Sequence, residues 1–216
     1  MAFKETTSEA AKSSGGSKLE VNPNKRLSPG VRETKPETSD ASDSEAVNPN
    51  KRIEPAQQEH RDDNGEVYRV GDNLLPNKSY EVNGYEYHTD SHGRIKSAEG
   101  QLRLDDSPRK SIDTTTEKIG KGDQRDGDER GHLMGDRFGG SNDIENMALM
   151  TKQVNRTDFK KIENNCAKAL KGGGEAYMKI TPKYEGGSNR ATSFRVVYTI
   201  NGERHAETLK NEGSAK

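Results

Sequence analysis

Residues 129–140 read ERGHLMGDRFGG, and Asn146, Asn155 and Glu163 follow downstream. RGHLM has the texture of a short strand, and DRFGGSNDIEN reads as a connection whose glycines permit tight backbone turns. From about Asn155 the run DFKKIENNCAKAL predicts a helix, with Asn155 or Thr157 as its cap and Gly172, Gly173 and Gly174 as its stop. A strand, a connection and a helix thus present one imidazole, one amide and one carboxylate. Imidazole titrates near neutrality, so His132 can act as a general base without a perturbed pKa. The amide oxygen of Asn155 can hold Mg2+ loosely, leaving most of its octahedral positions to water and phosphate oxygens. Together these groups meet the requirements of phosphodiester hydrolysis assisted by one hard divalent cation.

Taken singly, each residue has an ordinary explanation. A His in a polar, Gly-flanked stretch is usually a surface group, an Asn at a helix start is usually a cap, and a Glu two turns in is usually solvated or paired with Lys. The joint pattern is more specific: ERGH, then Asn146, then Asn155 nine residues on, then Glu163 eight residues further. It resembles the DNA/RNA non-specific endonuclease family, whose ββα-metal (His-Me finger) site carries the motif DRGH, with Glu129 here in place of the motif's Asp. The flanking text, LMGDRFGGSNDIEN and VNRTDFKKIEN, is most similar to the bacterial branch found as toxin domains of secreted polymorphic toxins. The resemblance spans roughly Leu75 to Asn211.

That resemblance implies His132 as general base, Asn155 as direct Mg2+ ligand (Mn2+ being an alternative ion) and Glu163 as the group orienting metal-bound water. Arg130 and Asn146 match motif positions that support the catalytic site. It also implies DNA and RNA as substrates and a cognate immunity protein. The chain would then be a secreted effector that acts in a target-cell cytoplasm and is held with its immunity protein in the producer's cytoplasm. A competing class is a catalytically degenerate nuclease fold that binds nucleic acid or a protein partner. Two departures from the family pattern bear on the mechanism. Ala167 stands where some members place an Arg that assists the leaving oxygen, with Lys168 or Lys171 as substitutes. The phosphate-contacting arginine is open among Arg103, Arg109, Arg125 and Arg137. In an α-helix eight residues rise about 12 Å and rotate about 80° past two full turns. Asn155 and Glu163 then share a broad face without being adjacent, which suits a Glu163 acting through water.

Working outward, residues 66–104 alternate apolar and polar side chains, and Asn83-Gly84 is a two-residue hairpin signal. Strands are expected at Ser79 to Val82, Tyr85 to Thr89 and Ile95 to Leu104. An irregular loop is expected from Asp105 to Asp128, and strands again at Tyr177 to Tyr184, Phe194 to Ile200 and Glu203 to Leu209. The fold class is α+β: an antiparallel sheet carrying a ββα-metal finger, in a domain spanning 66–216. Residues 1–65 have few bulky apolar groups and read as a disordered lead-in. That segment repeats VNPNKRL (Val21 to Leu27) as VNPNKRI (Val47 to Ile53), with linker or partner-binding motif both open.

Only 27% of the 216 residues are hydrophobic, and mean hydropathy is -1.18. No signal-peptide core or apolar run of membrane-spanning length is present. One cysteine, Cys166, excludes an intramolecular disulfide and a Cys-based zinc site, and its helical pattern suggests packing. DQRDGDE lacks EF-hand spacing and GKGD lacks the Walker pattern. Net charge is -1, which weighs against a handler of polyanions until its distribution is read. Residues 152–183 carry eight Lys/Arg against three acids, whereas residues 105–145 carry eleven acids against seven bases. Arg190 and Arg195 are expected as surface residues of a β-hairpin, with a place beside the groove as the alternative, and none of His60, His88, His92 and His205 has a partner at useful spacing.

Overall fold

The computed structural model describes residues 57–108 and 111–213. The architecture is α+β and mainly antiparallel. Three short strands open it: β1 (Glu59–Arg61), β2 (Val67–Val70) and β3 (Asn73–Leu74), paired in that order. Then come β4 (Ser79–Val82), β5 (Tyr85–Thr89) and β6 (Ile95–Gln101), a short helix α1 (Thr116–Gly120), and the strands β7 (Glu129–His132) and β8 (Met147–Met150). Helix α2 (Lys160–Lys171) precedes β9 (Ala176–Lys183), β10 (Ser193–Ile200) and β11 (Glu203–Lys210).

The main sheet runs β11-β10-β9-β6-β5-β4, while β7 and β8 form a separate two-stranded ribbon. Strands β6 and β9 are hydrogen-bonded neighbours, with Ala98 opposite Ile180. Everything from α1 to α2 is therefore an insertion between two central strands. This topology lays the ββα unit against one face of the sheet. The apolar alternation of the strands explains why that face can receive it. Tyr85, Tyr87, Met178, Ile180 and Phe194 point inward and are buried with Phe159, Ile162 and Cys166 of the helical segment. Phe159 meets Phe194 edge-on, with ring centroids 5.7 Å apart, and Tyr68, Tyr80 and Tyr87 stack in series at 4.5 and 5.3 Å. Aromatic burial of this kind lets a mostly polar chain form a core, since each ring removes about 150–250 Å² from water.

The hairpin signals are realised: Asn83 (φ 55°) and Asn201 (φ 51°) occupy the left-handed conformation that tight two-residue turns require. Elsewhere the structure departs from the sequence reading. Strand β1 lies among residues assigned to the lead-in; it pairs with β2, and His60 on it contacts Arg69 Nη2 at 2.6 Å through Nδ1. The remainder of that lead-in, with both VNPNKR copies, lies outside the described residues. The loop expected at 105–128 contains α1, whose N-cap Thr115 accepts a hydrogen bond from the Lys118 N–H. Among the described residues no helix is long and apolar enough to cross a membrane.

Candidate active site

His132 ends β7 opposite Met147 of β8. Between them, residues 133–146 fold back through two 3-10 turns, Asp136–Phe138 and Ile144–Asn146. Asn146 holds that loop closed: its Oδ1 accepts from the Met134 N–H, and its Nδ2 donates to the carbonyls of Met134 and Ser141, all at 2.8 Å. Gly140 is required by the same closure, because a Cβ there would sit 1.8 Å from the Met134 carbonyl oxygen. Asn146 is fully buried and does not line the cleft described below, so the structure places it as a loop staple and not in contact with reacting atoms.

The helix begins earlier than the sequence suggests. Thr151 precedes it, its Oγ1 accepting from the Val154 N–H at 3.3 Å, and Val154–Phe159 wind as a π-helical turn before α2. Asn155 is thus inside the first turns and is not a cap. A π turn bonds i to i+5 and rotates less per residue than an α turn, so the offset of about 80° expected between Asn155 and Glu163 shrinks. The two side chains open on one cleft.

Two side-chain relays orient the polar groups. Asn155 Nδ2 donates to Glu129 Oε2 at 3.0 Å, and Arg156 donates to the same carboxylate through Nε at 3.0 Å and Nη2 at 2.6 Å. The Arg156 hydrogen bonds, opposed by partial burial and joined by that of Asn155, hold the Glu129 carboxyl below its ordinary value. An acceptor-only carboxylate fixes which end of the amide faces it, leaving the Asn155 oxygen as the donor atom offered elsewhere. In the second relay, Asn142 Nδ2 donates to Asp136 Oδ1 at 3.0 Å while its Oδ1 lies 2.7 Å from His132 Nε2. Asp136 fixes the amide in the same way, so the amide oxygen is the atom that faces Nε2.

The cleft encloses about 780 Å³ between β7 and the helical segment, and His132, Arg130, Asn155 and Glu163 all line it. Gly135 forms part of the wall beneath Glu163: a Cβ at Gly135 would lie 2.5 Å from Glu163 Oε1. Arg130 Nη1 donates to the Thr114 carbonyl at 2.7 Å and so ties the preceding loop to β7. Among the described residues there is no cluster of three or more His, Cys, Asp or Glu able to cage a metal. The donor set, one amide oxygen and one nearby carboxylate, fits Mg2+, which keeps several waters and takes only one or two protein oxygens. It does not resemble a structural zinc or calcium cage.

Of the arginines left open, Arg137 lines the cleft and is braced by Asn164 at 2.6 Å. Arg103 instead reaches the Asn83 carbonyl at the β4–β5 turn and Arg125 is outside the cleft lining; Arg109 lies outside the described residues. Lys168 and Lys171 do not line the cleft, whereas Arg156 and Lys160 do. These two, with Asp136 and Asn142, escaped the sequence reading. Helical spacing from Glu163 back to Lys160 and Arg156 would have found the basic pair; nothing local marks Asn142. Cys166 is buried, and burial together with the Glu163 charge pushes its thiol up to about 11, consistent with packing. Arg190 is not a surface residue: it is buried and bidentate to Asp128 at 2.7 and 2.8 Å, one residue before β7.

Residues 76–202 match the DNA/RNA non-specific endonuclease family. The chain belongs to that family. It is 38% identical over 136 residues to the type VII secretion system protein EssD of Staphylococcus aureus, strains USA300 and NCTC 8325 / PS 47, covering 60% of this chain. The match covers 22% of those relatives, so the chain spans only about a fifth of their length. Among solved structures, the magnesium-bound NucA of Streptococcus agalactiae aligns with a TM-score of 0.48 at 12% identity, over 74% of this chain and 77% of that one.

Proposed function

We propose that the chain is a Mg2+-dependent endonuclease that hydrolyses DNA and RNA with little sequence preference, and that it is the toxin domain of a secreted bacterial effector. The carrying observation is that His132, Asn155 and Glu163, widely separated in sequence, line one cleft. In this reading His132, its Nε2 bonded to Asn142, accepts a proton from attacking water at Nδ1. The Asn155 amide, oriented by Glu129, and Glu163, seated over Gly135, would hold the ion, Glu163 in an outer-shell role. When bound, Mg2+ supplies charge stabilisation at the phosphate and the leaving oxygen. Arg137, Arg156 and Lys160 fix the substrate backbone; contacts of this type position nucleic acid without reading its sequence.

The EssD likeness supports the effector reading, with an immunity protein as partner in the producer. Strand β1 extends the nuclease unit upstream of Glu66. Incubating the purified chain with supercoiled plasmid or RNA, with Mg2+ or with chelator, tests the activity. Nicking that needs Mg2+ and is lost in His132→Ala supports the proposal. A shift of DNA in a gel with its length unchanged would favour the degenerate binding module. Expression in a bacterial host should reduce viability in a His132-dependent way.

A further inference from the structure

The face of the sheet turned away from α2 is basic, and the catalytic reading makes no use of it. The registers of β9, β10 and β11 define four rows across its outward positions: Lys183–Ser193–Lys210, Thr181–Arg195–Thr208, Lys179–Val197–Ala206 and Tyr177–Thr199–Arg204. Their side chains are exposed or half-buried, while the alternate residues Met178, Ile180, Phe194 and Val196 are buried beneath them. Five of the outward residues are basic and none is acidic, although the chain as a whole has a net charge of -1. Lys179 is bonded to Glu99 at 2.5 Å and marks the border with the more acidic β5–β6 side. Lys183, Arg195, Arg204 and Lys210 form no ion pair among the described residues.

We propose that this face is a second nucleic-acid binding surface, one that grips duplex phosphates at a distance from the catalytic cleft. The proposal rests on the nuclease reading and adds a site to it. Rows two residues apart along a strand are about 6.7 Å apart, so four rows span about 20 Å, a length over which a duplex presents about 12 charges. Hydroxyls of Thr181, Ser193, Thr199 and Thr208 lie between the bases, and Ser/Thr with Lys/Arg is the usual phosphate- and sugar-contacting set. A protein partner suits the face poorly. Lysine is depleted in protein interfaces, and affinity there comes from buried aromatic anchors, whereas here the one aromatic residue, Tyr177, is half-buried with its hydroxyl tied to Glu99, and Val197 and Ala206 are the only aliphatic groups among these positions.

Phe194, on the opposite side of β10, packs against Phe159 of the helical segment that walls the cleft. The basic face and the cleft are therefore on opposite sides of the sheet, and one straight duplex segment cannot occupy both. A long molecule can: one segment held on the basic face raises the effective concentration of the others at the cleft. Long DNA should then be cut at lower concentration than a short duplex of the same sequence.

The test compares the full chain with the variant Lys183→Gln, Arg195→Gln, Arg204→Gln, Lys210→Gln, whose fold is checked by thermal melting. Each is assayed on plasmid and on a short duplex, and duplex binding is measured across salt concentration in the His132→Ala background. The expected result is that the variant cuts the short duplex like the parent but loses the plasmid advantage, with half-saturating plasmid concentration rising about tenfold. Its binding slope against log salt should flatten by up to about 3.6, the loss of four phosphate contacts. An unchanged plasmid preference and slope would overturn the proposal, as would poly-glutamate occupying the face as tightly as duplex, which would assign it to an acidic protein. A parent chain that binds duplex through this face but cuts nothing would sink the nuclease reading and leave the surface standing.

Discussion

His132 is held by an amide that is itself held by a carboxylate, and Asn155 is held by a carboxylate braced by an arginine. Both relays orient a group through side-chain hydrogen bonds. Replacing His132 by Ala is expected to lower kcat by about 10²–10⁴, read as plasmid nicking rate, with the Mg2+ concentration for half-maximal rate unchanged. Removing the support of Asn155 acts on the other variable: Glu129→Ala should raise half-saturating Mg2+ by about 10–100-fold, and Glu129→Asp, the residue of the family motif, should recover most of it. If Glu129→Ala leaves the Mg2+ dependence intact, the orienting role fails. His132, Asn155 and Glu163, which line one cleft, stand out in the sequence through the likeness of their joint spacing to a family pattern. Asn142 and Asp136 do not, because what they do is created by the fold of a loop that has no period.

At the scale of elements, the loop joining the two strands of the ββα unit is stapled by Asn146. Two of its three hydrogen bonds are buried and go to the Met134 backbone, so Asn146→Ala should cost about 2–3 kcal/mol, measured by denaturant melts, with activity falling alongside stability. Gly135→Ala tests the opposite case. A Cβ within 2.5 Å of the Glu163 carboxylate must displace it, so nicking should fall while the melting midpoint stays close to that of the parent. The strands β4, β5, β10 and β11 could be read from alternation and Asn-Gly turns, since a two-residue period with one buried face leaves little freedom of register. The helix start could not. The π turn at Val154–Phe159 follows no sequence period, and Thr151, three residues before it, lies outside the run that looks helical. Strands β1 to β3 escaped because they are two to four residues long and lie in polar text.

Across the whole molecule, a buried ion pair joins the insertion to the sheet. Arg190, between β9 and β10, grips Asp128 and also donates to the Asn211 carbonyl at 2.7 Å. Asn211 in turn bonds the Thr151 N–H and the carbonyls of Leu149 and Ala191, each at 2.8 Å. Asp128→Ala would leave a guanidinium buried without its counter-charge, at a cost of about 3–5 kcal/mol, visible as a large drop in Tm. Acid acts on related contacts. Burial alone would raise Asp143 and Asp90, but hydrogen bonds from Arg69 and the Ile144 N–H, and from Arg94 and the His92 N–H, outweigh it and hold both carboxyls below their ordinary 3.8. A depressed folded-state pKa contributes stability that is fully present above the unfolded value and is lost as pH falls through the folded one. Tm should therefore hold down to about pH 4 and fall steeply below it, and Asp143→Asn should remove part of that dependence. These long-range pairs could not be read from sequence, because Arg190 and Asp128 are individually ordinary polar residues of loops.

The most direct measurement is Mg2+-titrated plasmid nicking by His132→Gly with and without added imidazole. If His132 is the base beside an ion held by Asn155 and Glu163, the variant is nearly inactive, imidazole restores nicking, and the half-saturating Mg2+ concentration matches that of the parent chain. Undiminished nicking without imidazole, or a tenfold or greater shift in half-saturating Mg2+, would contradict that assignment.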